Sequence, residues 1–164
     1  MIFPTLDELE KSVEAGERYF QTADDPSQSE ATVENCQKII AVDPHAFIIE
    51  RVDGQLAAYS SVLPTSNAVK NDFLMGKITE RELLAIATSE PAFETLYLLV
   101  FFVIPEYRER GIASRLVKEQ IGYFKGKYGI NDYYAWAWSE EGKKLISALG
   151  RDLKISIALP AYSK

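Results

Sequence analysis

Apolar positions recur along this chain in two periods, one near 3.6 and one of 2, and they divide it into elements before any chemistry is considered. Leu6, Leu9, Val13 and Phe20 fall at helical spacing behind Thr5-Leu-Asp-Glu8. In that pattern the threonine hydroxyl and the glutamate three residues on each satisfy a free backbone amide, so a helix is predicted there. Ser27-Gln-Ser-Glu30 repeats the device ahead of Val33, Cys36 and Ile40, and Asp43-Pro44 closes that second helix. The run AFIIERVDGQLAAYSSV reads as two strands reversed at Asp53-Gly54, residue types that suit a tight two-residue hairpin.

Between Pro64 and Pro91 the helical period returns in two short pieces. The second is opened by Thr79-Glu-Arg-Glu82 and carries Leu83, Leu84 and Ile86. LYLLVFFV (96–103) is apolar at consecutive positions, as a central strand covered on both faces must be, and Pro105 ends it. After Gly111, one helix face collects Ile112, Leu116, Val117, Ile121 and Phe124. DYYAWAW (132–138) is a strand by its aromatic content. Ser139 caps a helix carrying Leu145, Ile146 and Leu149, with Gly150 as its stop, and LKISIAL (153–159) is a last strand. The order predicts an α/β (α+β mixed sheet) fold, a central mixed sheet with helices on both faces. No repeat or linker interrupts it, so 1–164 are expected to form a single domain in which 64–91 are a helical insert.

Composition narrows the class. At 164 residues, 47% hydrophobic and 26% charged, the chain has the make-up of a soluble domain able to bury a core. The longest apolar run, Leu96–Ile104, is too short to span a bilayer, and MIFPTLDELEK lacks the basic-then-apolar order of a secretory signal. With a lone cysteine, Cys36, and so no internal disulfide, the expectation is a cytoplasmic protein without a membrane partner. A net charge of −6 argues against nucleic acid. The charge is uneven: from Arg108 onward eleven Lys or Arg face six Asp or Glu, leaving −11 on the first 107 residues. One half suits an anionic ligand and the other a cationic one, unless both are simply solvated surface.

YRERGIASRLV (107–117) puts small residues, Gly111 and Ala113, among arginines at a helix start. The first amides of a helix lack intrahelical partners and carry about half a positive charge, so a phosphate can settle on them if no side chain intervenes. Ser114 can add a hydroxyl, and Arg108, Arg110 and Arg115 raise the local potential. The spacing is neither the three-glycine dinucleotide fingerprint nor a P-loop. Taken alone, R-x-x-G-x-A also fits a plain turn with Ala113 packed on the sheet.

The longer stretch LYLLVFFVIPEYRERGIASRLV resembles the signature of the GNAT superfamily of acyl-CoA-dependent N-acyltransferases, with an apolar strand ending V-x-P-x-Y-R, the R-x-x-G-x-A turn and an amphipathic helix. The likeness extends loosely over roughly two-thirds of the chain. It implies an acetyl-CoA-dependent N-acetyltransferase in which the amine attacks the bound thioester directly. The coenzyme A pyrophosphate would lie on the backbone of Arg108, Glu109, Arg110, Gly111, Ile112, Ala113 and Ser114. The pantetheine arm would lie along Phe101, Phe102 and Val103, the Phe101 N–H polarising the thioester carbonyl. The implied acceptor is a small-molecule or peptide amine, and the implied assembly a monomer or homodimer.

The same resemblance implies a glutamate eleven residues before the motif, where this chain has Tyr97, and a tyrosine in the following helix, where it has Ile146. With an ordinary pKa of about 10, Tyr97 is a weak base near neutrality. Tyr97 and Glu94 are the candidate catalytic residues, followed by Glu50, Tyr59 and the lone His45. Cys36 shares an apolar helix face and reads as a buried thiol. No His, Cys and carboxylate spacing suggests a metal. The insert, with Asp72, Glu80, Glu82 and Glu90 and followed by Glu94, is expected to form a lid over the acceptor side and to favour a cationic amine. Two other readings are a GNAT-fold module that binds acyl-CoA without turnover, for sensing or assembly, and a site for some other phosphate such as a nucleotide.

Overall fold

With one exception, every α-helix here begins where a short polar side chain closes the free amides of its first turn. The computed structural model describes residues 3–137 and 139–161. α1 (Leu6–Phe20) opens on the expected reciprocal box, the Glu8 N–H donating to Thr5 Oγ1 at 3.3 Å and the Thr5 N–H to Glu8 Oε2 at 2.8 Å. Leu6 nevertheless faces solvent, 57% exposed, and the buried face runs through Glu8, Leu9, Ser12 and Gly16. α2 (Val33–Val42) is capped by Thr32, not by Ser27-Gln-Ser-Glu30 as its sequence suggests. Ser27 and Ser29 stay in the preceding loop, where they bond to Asp25 and Glu80.

β1 (Phe47–Val52) and β2 (Gln55–Thr65) form the expected hairpin, with φ of 50° at Asp53 and 77° at Gly54. α3 (Asn67–Leu74) and α4 (Glu80–Ser89) fill the insert, capped by Ser66 and Thr79. β3 (Thr95–Val103), α5 (Ile112–Tyr128), β4 (Tyr133–Ala135), α6 (Glu140–Leu153) and β5 (Ile157–Ala158) complete the order. The strands lie β1-β2-β3-β4-β5, antiparallel up to β3 and parallel beyond, so the mixed sheet flanked by helices is as predicted. The last two strands are shorter than their aromatic and apolar runs suggest. Trp138, at the end of the first run, lies outside the described residues. Leu153 belongs to α6, which continues past Gly150 to an αL stop at Lys154. The glycine does not end the helix. Its missing side chain lets the Ile155 carbonyl pass 3.2 Å from where a Cβ would sit, so the returning chain packs against the last turn.

α5 covers one face of the sheet. Its buried Gln120 accepts from Ser60 Oγ at 2.6 Å and donates to the carbonyls of His45 and Ser60. The neighbouring residue on β2, Tyr59, points to the other face, towards Gly16 and Cys36 on α1 and α2. The insert helices are part of the core: Phe73, Leu83, Leu84 and Ala87 are buried, and Phe73 meets Tyr97 edge-on at 5.2 Å.

Candidate functional site

The exceptional helix is α5. Its N-cap is Gly111 at φ 72°, a left-handed conformation that favours glycine, and no side chain caps the turn. A Cβ built there would meet no protein atom within 4 Å. Among the described residues, the N–H groups of Ile112, Ala113 and Ser114 have no backbone or side-chain acceptor, while Arg115 N–H returns to the Gly111 carbonyl at 3.1 Å. Glu109 also lies at positive φ, 65°, so the turn is held in a shape that aims successive amides the same way. This helix start opens onto the main cleft of the molecule, about 760 Å³, which Arg108, Glu109, Arg110, Gly111, Ile112, Ala113 and Ser114 all line.

The cleft owes its length to the parting of β3 and β4. They pair only from Leu96–Tyr133 to Leu98–Ala135. Beyond this β3 runs five residues further against β2 alone, with a bulge at Leu99 between the Ser61–Val100 and Val62–Leu98 pairs. Among the described residues, one edge of Leu99–Val103 therefore has no strand partner, and Phe101, Phe102 and Val103 line the cleft, as do Trp136, Ala137 and Ile146. An unpaired strand edge running into an uncapped helix start is an extended set of backbone donors and acceptors ending in an anion cradle. Residues 13–147 match the model of the acetyltransferase (GNAT) family. The chain belongs to this family.

Among solved structures, the GNAT-like loading domain of CurA from Lyngbya majuscula is similar at 14% identity and a TM-score of 0.53, over 79% of this chain and 59% of that one. The GNAT-like decarboxylase GphF in complex with isobutyryl-CoA is similar at 16% identity and a TM-score of 0.59, over 79% and 60%. The chain thus spans about three-fifths of the length of these two structures. At such identities the likeness shows the fold alone, a GNAT-like fold. No curated protein is significantly similar in sequence.

The charge around the GNAT cradle is organised unevenly. Arg108 lies 5.8 Å over the rings of Tyr19 and Phe102, with Nε donating to the Val103 carbonyl at 3.1 Å, and Arg110 lies 5.4 Å over Tyr107. Both remain on the cleft. Arg115 and Glu50 do not line it; they pair with each other at 2.9 Å.

The two expected catalytic side chains lie outside the cleft. Glu94 accepts from Asn67 Nδ2 at 2.9 Å on the exposed side. Tyr97 is 0% exposed, packed against Phe73 and Tyr134, its hydroxyl donating to Glu80 Oε2 at 2.5 Å. It is absent from the lining because its strand position points under the insert, not along it. His45 stacks on Tyr123 at 3.5 Å, away from the cleft. Ile146, Tyr59 and Cys36 do line the cleft; burial raises the Tyr59 hydroxyl and pushes the Cys36 thiol up to about 11. Neither ionises near neutrality.

Glu80 and Ser61 were not singled out as site residues from sequence, yet both line the cleft. Glu80 is 8% exposed. Its Oε1 accepts from the Ser29 N–H at 2.9 Å and the Ser29 hydroxyl at 3.0 Å, and its Oε2 from Tyr97. Burial raises its pKa even against those three donors. Of the insert's acidic residues it alone reaches the cleft. A signal was present: Glu80, Leu83, Leu84 and Ala87 follow the i, i+3, i+4, i+7 spacing, which places a glutamate on an apolar stripe. Ser61 Oγ is buried and has no hydrogen-bond partner among the described residues. Among those residues no group of His, Cys, Asp and Glu is placed to hold a metal ion, and no helix is long and apolar enough to cross a membrane.

Proposed function

We propose that the protein transfers an acyl group, acetyl being the simplest, from coenzyme A to a primary amine. The observation that carries this is the continuity between the bare β3 edge and the uncapped α5 start. The amides of Ile112, Ala113 and Ser114 would hold the pyrophosphate, with Gly111 leaving the space above them clear. The β3 edge from Phe101 to Val103 would align the pantetheine arm, and the Phe101 N–H would polarise the thioester carbonyl as charge develops on its oxygen. Alignment of amine and thioester in one cleft supplies much of the acceleration. α4 would form the acceptor-side wall, and the acidic first half of the chain favours a cationic amine.

Coenzyme A should raise the melting temperature, and ADP, which lacks the pantetheine arm, should raise it less. In Gly111→Glu, a carboxylate fills the cradle at a backbone conformation that L side chains rarely adopt. The coenzyme A shift should vanish in that variant. A shift equal to wild type would overturn the site.

A second reading, acyl-CoA binding without transfer, draws on apolar Ile146 where the family resemblance calls for a tyrosine acid. Thiol release from acetyl-CoA in the presence of amines separates the two readings, since a binding module releases none.

A further inference from the structure

Among the described residues, three carboxylates are both buried and well bonded, and two of them pair with cations. Glu8 is bridged by Arg51, and Asp43 by Lys127 together with the hydroxyls of Tyr123 and Tyr128. Glu80 has no cation within ion-pair distance among the described residues. Arg81, its neighbour in sequence, directs its guanidinium to the carbonyls of Thr22, Asp25 and Gln28 instead. A buried carboxylate without a counter-charge is destabilising, and a glutamine would satisfy a fold equally well. Ser61 Oγ, elsewhere on the lining of the same cleft, is likewise buried without a hydrogen-bond partner among the described residues. A carboxylate left without a counter-charge on the wall of a cleft is a place where a positively charged ligand completes it.

We propose that Glu80, offered from the inserted helix and held by Ser29 and Tyr97, receives the ammonium of the acceptor and removes its proton. This rests on the acyl-transfer reading and assigns the base which that reading lacks. β3 connects the two ends of the site. Tyr97, under Glu80, and Val103, beside the cradle, are six residues or roughly 20 Å apart at strand rise. An amine at Glu80 therefore lies beyond the Leu99 end of the bare stretch, away from the pyrophosphate cradle at its Val103 end.

The chemistry balances. R–NH3⁺ gives one proton to the Glu80 carboxylate and becomes R–NH2. The nitrogen lone pair forms the C–N bond to the thioester carbonyl carbon while the C–S bond breaks, and sulfur takes that electron pair as a thiolate. The second nitrogen proton passes to the thiolate, and Glu80 returns its own proton to water. The products are the amide, the free thiol and one proton.

Tyr97 is a positioning residue. Its hydroxyl fixes one carboxylate oxygen while the Ser29 pair fixes the other. The titratable and charged groups about Glu80 are Asp25, whose negative charge adds to the raising of its pKa, Glu30, Cys36, Tyr97 and Arg81. A base raised from the ordinary carboxylate range and kept out of water is better matched to an ammonium than a solvated glutamate is.

The experiment compares wild type with Glu80→Gln and Tyr97→Phe. Acetyl-CoA is the donor, spermidine, cadaverine and Nα-blocked lysine are the probe amines, and the readouts are thiol release and melting temperature. In Glu80→Gln, kcat/KM should fall by about 100-fold or more, the loss expected for a general base. Its acid limb in the pH profile should disappear, and its melting temperature and coenzyme A shift should equal or exceed wild type. Tyr97→Phe should move that limb to higher pH without abolishing turnover. Wild-type rates in Glu80→Gln, or an unchanged acid limb, would overturn the proposal. So would probe amines that neither react with wild type nor shift its melting temperature in the presence of acetyl-CoA. In each of those cases an intact coenzyme A shift leaves the acyl-CoA site standing. A wild-type protein with no coenzyme A shift sinks the broader reading instead.

Discussion

Glu8 and Glu80 are each 8% exposed and each sits in the first turn of a helix, but Glu80 lies deeper in the protein, and their pKa values shift in opposite directions. Arg51 reaches Glu8 with two hydrogen bonds, 2.5 Å from Nε and 2.7 Å from Nη2, and holds its pKa down at about 2. Glu80 receives three neutral donors and no cation, and burial wins. The difference separates two uses of a buried charge. At Glu8 the charge is matched inside the fold and joins α1 to β1. At Glu80 the match is missing on a cleft wall, where a ligand can supply it.

Replacing each glutamate should give opposite results in urea denaturation. Glu8→Ala removes half of the capping box and the acceptor of Arg51, and should lower stability by about 2 kcal/mol with coenzyme A binding retained. If Glu80→Gln proved as destabilising as Glu8→Ala, the contrast between the two sites would collapse. Tyr97→Phe sharpens it from the other side. A buried oxygen of Glu80 loses a donor there, and stability should drop by about 1–2 kcal/mol, the loss growing as pH rises and the carboxylate ionises.

The smallest effect is the pH dependence itself, read as the urea midpoint from pH 2 to 8. The contribution of Glu8 is complete above the ordinary carboxylate range and is lost as pH falls toward about 2. Glu80 acts with the reverse sign because its folded pKa is raised. Its effect is absent below the ordinary range and becomes a penalty as pH climbs towards the folded value. Glu80→Gln should therefore gain on wild type as pH increases, and Glu8→Gln should lose. Parallel curves would show that the two carboxylates share one environment after all.

The uncapped glycine turn before α5 was readable because everything that shapes it is local. Gly111, the following small residues and the preceding apolar strand lie within about twenty positions, and the chemistry belongs to the backbone. The expected catalytic residues lie off the cleft lining for a non-local reason. Tyr97 alternates correctly along β3, but which helix covers that face is decided by α3 and α4 folding back under it. Glu94 is near in sequence yet on the wrong side of its turn. The glycine stop expected at Gly150 failed similarly, because that glycine serves a contact with the returning chain.

By itself, the amino-acid order determined most of the helix caps, the hairpin and the glycine turn before α5, since each depends on residues a few positions apart. Only the tertiary structure decided that β3 and β4 part after Leu98, that Arg115 is consumed by Glu50, and that a glutamate of the insert reaches the cleft. Those outcomes depend on which faces meet across tens of residues. There burial sets whether a charge is balanced, and local pattern carries no record of it.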